Sequence, residues 1–417
     1  MSDTNHIEVP PVDLTQSRLN FRLLVLDIAW YAVAFPAVAR FLAVHLIRLD
    51  ASATLLGWQA ALPAVVALIT SSFAGWWRGH YTSLVPALFW PSVGYRMMFL
   101  LPAFAPFLPH DWQAIWLVMA VAVAAIPQGI SSVLFLVALR ESVEPDRLPA
   151  LMSRRSMFFN GLFAVATLAM GLWLEVIPFP VNYQLMYLAA FGLSLVSLYN
   201  MMKIRPVIEE PPPRTDRPAV RPWQSPTFRR VAFVTVVMHI AFFSITPLVT
   251  LRLVDELHAD EAFMSIFTLA ELAAAATFAA LTPRLVARIG NRAIIAGGLI
   301  GTGIAGAILA AAPSLPITLI GAAISGACWT TAAISAFNYF SQSTPVEGVT
   351  RFTTAYNQIV MLSIFIGPLL GSQLAETALS VPTVMGMGSV LRLLAGVIIV
   401  AAMSSRVRWF GGREPVG

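Results

Sequence analysis

The chain is poor in charge. Asp, Glu, Lys and Arg make up 11% of its 417 residues, against about 25% in a soluble domain. With 58% hydrophobic residues and a mean hydropathy of +0.76, this excludes an ordinary soluble enzyme or binding module. Cysteine is almost missing. The single Cys328 excludes an intrachain disulfide and a multi-cysteine metal site, and within its apolar run it reads as a small packing residue. Lysine is nearly absent as well: Lys203 stands alone, so arginine carries the positive charge. There is no phosphate loop, so ATP drive is not expected. No spacing of His, Cys, Asp or Glu suggests a metal, and Ser131, Ser132 and Ser153 have no nearby His and acid to activate them. No enzyme activity and no cofactor are expected. The weak ten-residue alternation of a transmembrane barrel is also missing.

What the chain does have is long apolar runs. Twelve are read, at roughly 20–46, 53–75, 83–108, 113–139, 156–178, 182–202, 230–253, 262–282, 293–312, 315–340, 353–376 and 382–405. Each can cross about 30 Å of hydrocarbon at about 1.5 Å per residue. The expected fold class is an all-α membrane protein of twelve transmembrane helices. Prolines 36, 63, 91, 127, 247 and 368 fall inside spans and read as kinks. Residues 1–17 are polar and partly acidic, unlike a signal peptide.

The longest polar stretch, Lys203 to Pro226, is rich in proline and charge and reads as an extended linker. It divides the chain six plus six: a tail at 1–19, a bundle at 20–202, a linker at 203–229, a bundle at 230–408 and a tail at 409–417. When the termini and the loops after even-numbered spans are placed on one side, that side holds most of the 26 Lys and Arg. Arg48 and Arg252 lie opposite. The positive-inside rule then puts both termini and the linker in the cytoplasm. The net charge of +5 follows from this topology and needs no nucleic-acid partner.

The two halves echo each other. Span one reads LDIAWYAVAFPAVAR and span seven reads MHIAFFSITPLVTLR, so Asp27 aligns with His239 and Arg40 with Arg252. In span five Arg154 precedes Asn160, and in span eleven Arg351 precedes Asn357 at the same spacing, each after a loop proline, Pro145 or Pro345. Such repeats are common in secondary transporters, where the substrate site lies between them.

At this point the sequence resembles the major facilitator superfamily, over about residues 18 to 408. The most specific stretch is PRLVARIGNR, from Pro283 to Arg292, between spans eight and nine. It is similar to the family loop G-x-L-A-D-R-x-G-R-R. Arg288, Gly290 and Arg292 match, Ala287 stands in place of the aspartate and Pro283 in place of the first glycine. The loop after span two, Gly75 to His80, is shortened. The resemblance implies two pseudo-symmetric six-helix bundles and a cytoplasmic gate loop containing Arg284, Arg288, Gly290 and Arg292. Without the aspartate, the charge lock of that loop is not expected. The family's proton antiporters often carry an arginine ahead of Gln-Gly in span four. Here Gln128-Gly129 is present, but the arginine position is Ala125. Their Gly-Pro pair of span five is also missing: Leu172 follows Gly171, and Gly367-Pro368 occurs in span eleven instead.

Few ionisable groups remain inside the spans, and each costs free energy unless paired. Asp27 reads either as a partner for Arg22 or Arg96, or as half of an Asp27–His239 pair across the repeat. Arg96 reads as a structural ion pair or a substrate contact, and His239 as a packed histidine or a proton carrier. Glu271 sits in TLAELAAAATFAA with no local partner, where desolvation works against its charged form; Arg392 is one candidate partner. Arg40 and Arg252 are expected to snorkel to the outer interface. The resemblance places spans one, four, seven and ten around a central cavity. The candidates for substrate or proton handling are therefore Asp27, Trp30, Tyr31, Arg96, Gln128, Asn160, His239, Phe242, Glu271, Trp329, Asn338 and Asn357. The span-nine glycines from Gly297 to Gly306 read as close helix contacts.

The expected function is a monomeric secondary transporter for a small organic solute, amphipathic or lipophilic, working by alternating access. Protons are a candidate coupling partner and the lipid bilayer is the medium. The alternatives are an ion-independent uniporter and a membrane sensor on a transporter scaffold.

Overall fold

A computed structural model describes residues 14–402 except 145, 208–220, 345–348 and 378. Among the described residues all regular structure is helical. Eleven helices are long and apolar enough to cross a membrane. One of them, Glu261–Ala311, contains two spans, because the backbone leaves helical geometry at Gly290 (φ 78°, ψ 158°). That is a left-handed φ which favours glycine, and it supplies the reversal between spans eight and nine. The twelve expected spans are thus all present as helices.

Two boundaries differ from the sequence reading. Span one is helical from Leu14, within the stretch expected to be a polar tail. Its first turns are held by protein: Ser17 donates to Glu144, and Asn20 donates to the carbonyls of Ser142 and Arg205. Span seven begins at Pro226, inside the expected linker, where the Ser225 hydroxyl accepts from the Phe228 N–H as an N-cap. Most of the proline-rich linker, the loop prolines Pro145 and Pro345, and the end of the chain from 403 lie outside the described residues.

Spans one and seven are both broken. Span one runs as Leu14–Ala34, Pro36–Ala39 and Phe41–Arg48. Span seven runs as Pro226–Phe243, Thr246–Leu251 and a π-helical turn at Arg252–Glu256. Pro36 and Pro247 each lack the N–H that a continuous helix needs. Pro63, Pro91, Pro127 and Pro368 sit inside unbroken helices.

Spans one to six pack on one another, as do spans seven to twelve. Between the two groups, span two lies along span eleven and span five along span eight. These crossings are close because small residues face each other. A Cβ on Gly57 would lie 1.9 Å from Ser372 Oγ, and one on Gly171 would lie 1.8 Å from Ser265 Oγ. Polar contacts gather at the same end. Arg48 pairs with Glu261 at 2.9 Å, and the Tyr183 hydroxyl donates to Glu261 at 2.8 Å. The Glu261 N–H donates to Glu175 at 2.9 Å and the Thr54 N–H to Glu376 at 2.8 Å. All lie far from the side where span one begins. On span five these contacts start at Thr167, where the carbonyl accepts from Ser265, and on span eleven at Phe365, which meets Trp58. Asn160 and Asn357 share these helix faces but lie nearer the start of span one's side, and both are exposed. The bundles therefore meet at one end and part at the other.

Candidate functional site

Two cavities carry the polar chemistry. The first, of about 210 Å³, lies within the N-terminal bundle and is lined by Asp27, Tyr31, Arg96 and Gln128 together with Arg155 and Tyr95. It brings four of the expected residues together. Asp27 is 4% exposed, and its two carboxylate oxygens are both occupied. Oδ2 accepts from Arg155 of span five at 3.1 Å, while Oδ1 accepts from the Ser197 hydroxyl at 2.7 Å and lies 3.9 Å from Arg96. Arg96 in turn donates to the carbonyls of Ser194 and Ser92 and to Ser197 Oγ, at 2.7, 2.9 and 2.9 Å. Arg155 also donates to the Leu24 carbonyl. A buried carboxylate is thus clamped between two guanidiniums that bridge spans one, three, five and six. The Tyr31 and Tyr95 hydroxyls hydrogen-bond beside it, and Ser92 and Ser131 hydroxyls meet at 3.0 Å. Arg22 plays no part: it is exposed.

The second cavity, of about 230 Å³, lies between the bundles. Glu271 and Phe242 line it, as expected, beside Arg40, Gln59, Phe267 and Arg392. Here the sequence reading needs correcting. Glu271 is not partnerless: Arg40, which was expected to snorkel outward, turns in across the seam and pairs with it at 3.0 Å. The break after Ala39 frees Arg40 from the regular helix, with φ −122° and ψ −48°. Arg392 is not the partner of Glu271. Its guanidinium donates to the carbonyls of Ala241, Phe242 and Thr302 and lies 4.7 Å from the Phe242 ring centroid. It answers the carbonyls near the break in span seven. Arg252 pairs with Glu256 and donates to the Ala312 carbonyl, so it does not simply snorkel either.

The remaining expected residues sit elsewhere. His239 is buried; its Nδ1 bonds the Thr235 carbonyl at 2.8 Å, and its ring packs against Trp329 and Phe243. Trp329 stacks on Phe242 at 3.7 Å between ring centroids, behind the interbundle cavity. Trp30 is 39% exposed and, like the half-buried Asn338, lines neither cavity. His239 and Asp27 are each satisfied within their own bundle. In the gate loop Arg284 and Arg288 are exposed, Arg292 donates to the Val400 carbonyl, and Asn291 donates to Gln342 at 3.2 Å. Among the described residues no cluster of His, Cys, Asp or Glu could hold a metal.

Sequence reasoning missed Arg40, Arg155 and the Arg48–Glu261–Tyr183 network. Arg155 left no clue in the sequence, because the burial of its helix face beside Leu151 is visible only in the structure. The other pairs join residues far apart in the chain, and no local pattern marks them.

A family model described as Major Facilitator Superfamily matches residues 231–414. No curated protein sequence matches. Among solved structures, an auto-inhibited POT family peptide transporter is similar at TM-score 0.70 and 11% identity, over 95% of this chain and 99% of that one. A bacterial homologue of the iron transporter ferroportin in an inward-facing state gives 0.69 at 13% identity, over 92% and 98%. A D-xylose-proton symporter gives 0.67 at 13% identity, over 92% and 96%. These relatives are transporters, not enzymes. Residues 231–414 are thus similar to the Major Facilitator Superfamily, and over its whole length the chain is a multi-pass membrane protein with the fold of these transporters.

Proposed function

We propose that the chain is a secondary transporter that carries a small amphipathic organic solute by alternating access, in a bacterial inner membrane with both termini cytoplasmic. One observation carries this reading. The bundles are held together at one end by Arg48–Glu261 and Thr54–Glu376, part at the other, and enclose a cavity with both charged and aromatic walls. A rigid scaffold or sensor has no need for an ion pair such as Arg40–Glu271 at the seam of two separable bodies. Arginine placement favours the parted end as the cytoplasmic one. The solute then enters from the cytoplasm, and rocking about the cavity releases it outside or runs in reverse. Glu271 is the candidate proton carrier, because it is a carboxyl exposed to the cavity whose partner sits on the other bundle.

The test is flux in proteoliposomes over a panel of metabolites and drugs, with and without a pH gradient. Gradient-driven accumulation is the expected result. Downhill flux alone identifies a uniporter, and no flux for any compound identifies a non-transporting protein. Glu271→Gln should abolish gradient-driven accumulation. A Ser225→Cys label should react only from the cytoplasm, and labelling from outside intact cells reverses the topology.

A further inference from the structure

The seam between the bundles carries one carboxylate and one guanidinium facing each other across the cavity, and this pair has open valences. Arg40 belongs to span one and Glu271 to span eight, with side chains 33% and 25% exposed at a separation of 3.0 Å. Glu271 lies about 15 Å from the start of its helix at Glu261, by a rise of about 1.5 Å per residue, which is near the middle of the membrane. Its Oε2 makes the ion pair but is not aligned with any donor as a hydrogen bond. Two other charges deep in the described spans are fully met: Asp27 by Arg155 and Ser197, Arg392 by three carbonyls. The Arg40–Glu271 pair differs from these, and it opens onto a cavity walled by Phe242, Phe267 and Met264.

We infer that this pair is the docking point of a zwitterionic solute, one that carries an ammonium and a carboxylate on a partly apolar frame. The inference rests on the transport reading above and narrows its substrate class. The argument is charge balance. A monoanion inserted at Arg40 leaves Glu271 buried without a counter-charge, and a monocation at Glu271 strands Arg40 in the same way. Uncompensated charge in a low-dielectric site is costly. A zwitterion replaces both partners at once: its ammonium donates to the Glu271 carboxylate and its carboxylate accepts from the Arg40 guanidinium. Both charges of the pair stay matched while the direct bridge between the bundles is exchanged for one through the solute. The aromatic wall accepts the apolar remainder.

Binding to the purified protein tests this without relying on flux. The probes are aromatic and aliphatic α-amino acids and short dipeptides, each compared with its N-acetyl derivative and its methyl ester. At least one zwitterion should bind, with each singly charged derivative at least ten-fold weaker. The variants should cross over. Glu271→Gln loses the zwitterion but gains affinity for the N-acetyl anion, because Arg40 is left unpaired. Arg40→Gln gains affinity for the ester cation. A gain cannot come from a misfolded variant. If no zwitterion in the series binds, or if a neutral or singly charged analogue binds the parental protein equally well, the inference is overturned. Flux of neutral solutes alone would overturn it and leave the transport reading standing, whereas zwitterion binding without flux would do the opposite.

Discussion

The two bundles place an arginine in equivalent surroundings but satisfy it in different ways. In the N-terminal bundle Arg96, from span three, reaches spans one and six and shares Asp27 with Arg155. In the C-terminal bundle Arg392 comes from span twelve, reaches spans seven and nine, and is met only by carbonyls and the Phe242 ring. The position of Asp27 in the repeat is taken by His239, which packs among aromatics. One half is thus clamped by ions and the other by backbone dipoles. Duplication supplied the frame, and each half found its own solution to an arginine inside the membrane.

The sharpest way to break this comparison is to remove Asp27. Asp27→Asn leaves Arg96 and Arg155 facing each other without their shared counter-charge, and should destabilise the protein by about 3–5 kcal/mol. Arg392→Gln removes a cation whose partners are neutral carbonyls and should cost about 1–3 kcal/mol. Denaturant titration in micelles measures both, and equal losses would show that the two halves are energetically alike. Next comes the seam. Gly171→Val drives a side chain into Ser265 and the Glu261 carbonyl, with an overpacking cost of about 1–3 kcal/mol borne by the closed end alone. Spin labels at Ser52 and Thr377 should then move apart. Unchanged distances would mean that Ser265 simply steps aside.

A smaller effect follows from the loop carboxylates. Hydrogen bonds from Ser52 and from the Thr54 N–H hold Glu376 below the usual glutamate range, as the Ser17 hydroxyl does for Glu144. A lowered native value means that each contribution is present above about pH 4.3, and is lost as the pH falls through the native value. Glu376 joins the two bundles and Glu144 lies within one. Acidification should therefore loosen the Ser52–Thr377 distance first, and Glu376→Gln should remove that response. Glu376 is exposed, so its effect is modest. The smallest effect concerns Asp27 and His239. Each is satisfied in its own bundle, so Asp27→Asn and His239→Gln should add to within about 0.5 kcal/mol. A larger coupling would revive a direct pair in another conformation.

The fold was largely legible. Twelve apolar runs, the polar linker and the matched arginines mark it, because burial in lipid imposes length and composition on every span. The loop holding Gly290 was legible through its likeness to the family motif, while its left-handed backbone was not. The site was legible only in part. A charge inside a span is visible in sequence, which is why Asp27, Arg96 and Glu271 stood out. Its partner is not: Arg155 and Arg40 are identified by helix packing and by the break after Ala39, and neither leaves a period or a spacing. Aromatic residues such as Trp30 and Trp329 read alike in sequence whether they line a cavity, stack behind one or face lipid.

The buried clusters also have an electrical consequence. Asp27, Arg96 and Arg155 leave one positive charge over, and so do Glu271, Arg40 and Arg392. Two elementary charges therefore sit inside the field across the bilayer, fixed to the bodies whose rotation against each other we propose above. Moving one charge through the whole field is worth about 2.3 kcal/mol per 100 mV. A rotation that carries both through a tenth of the field does about 0.5 kcal/mol of work at that voltage. On the alternating-access reading proposed above, the bias between the two orientations is then set partly by the resting potential of the cell, independently of any solute.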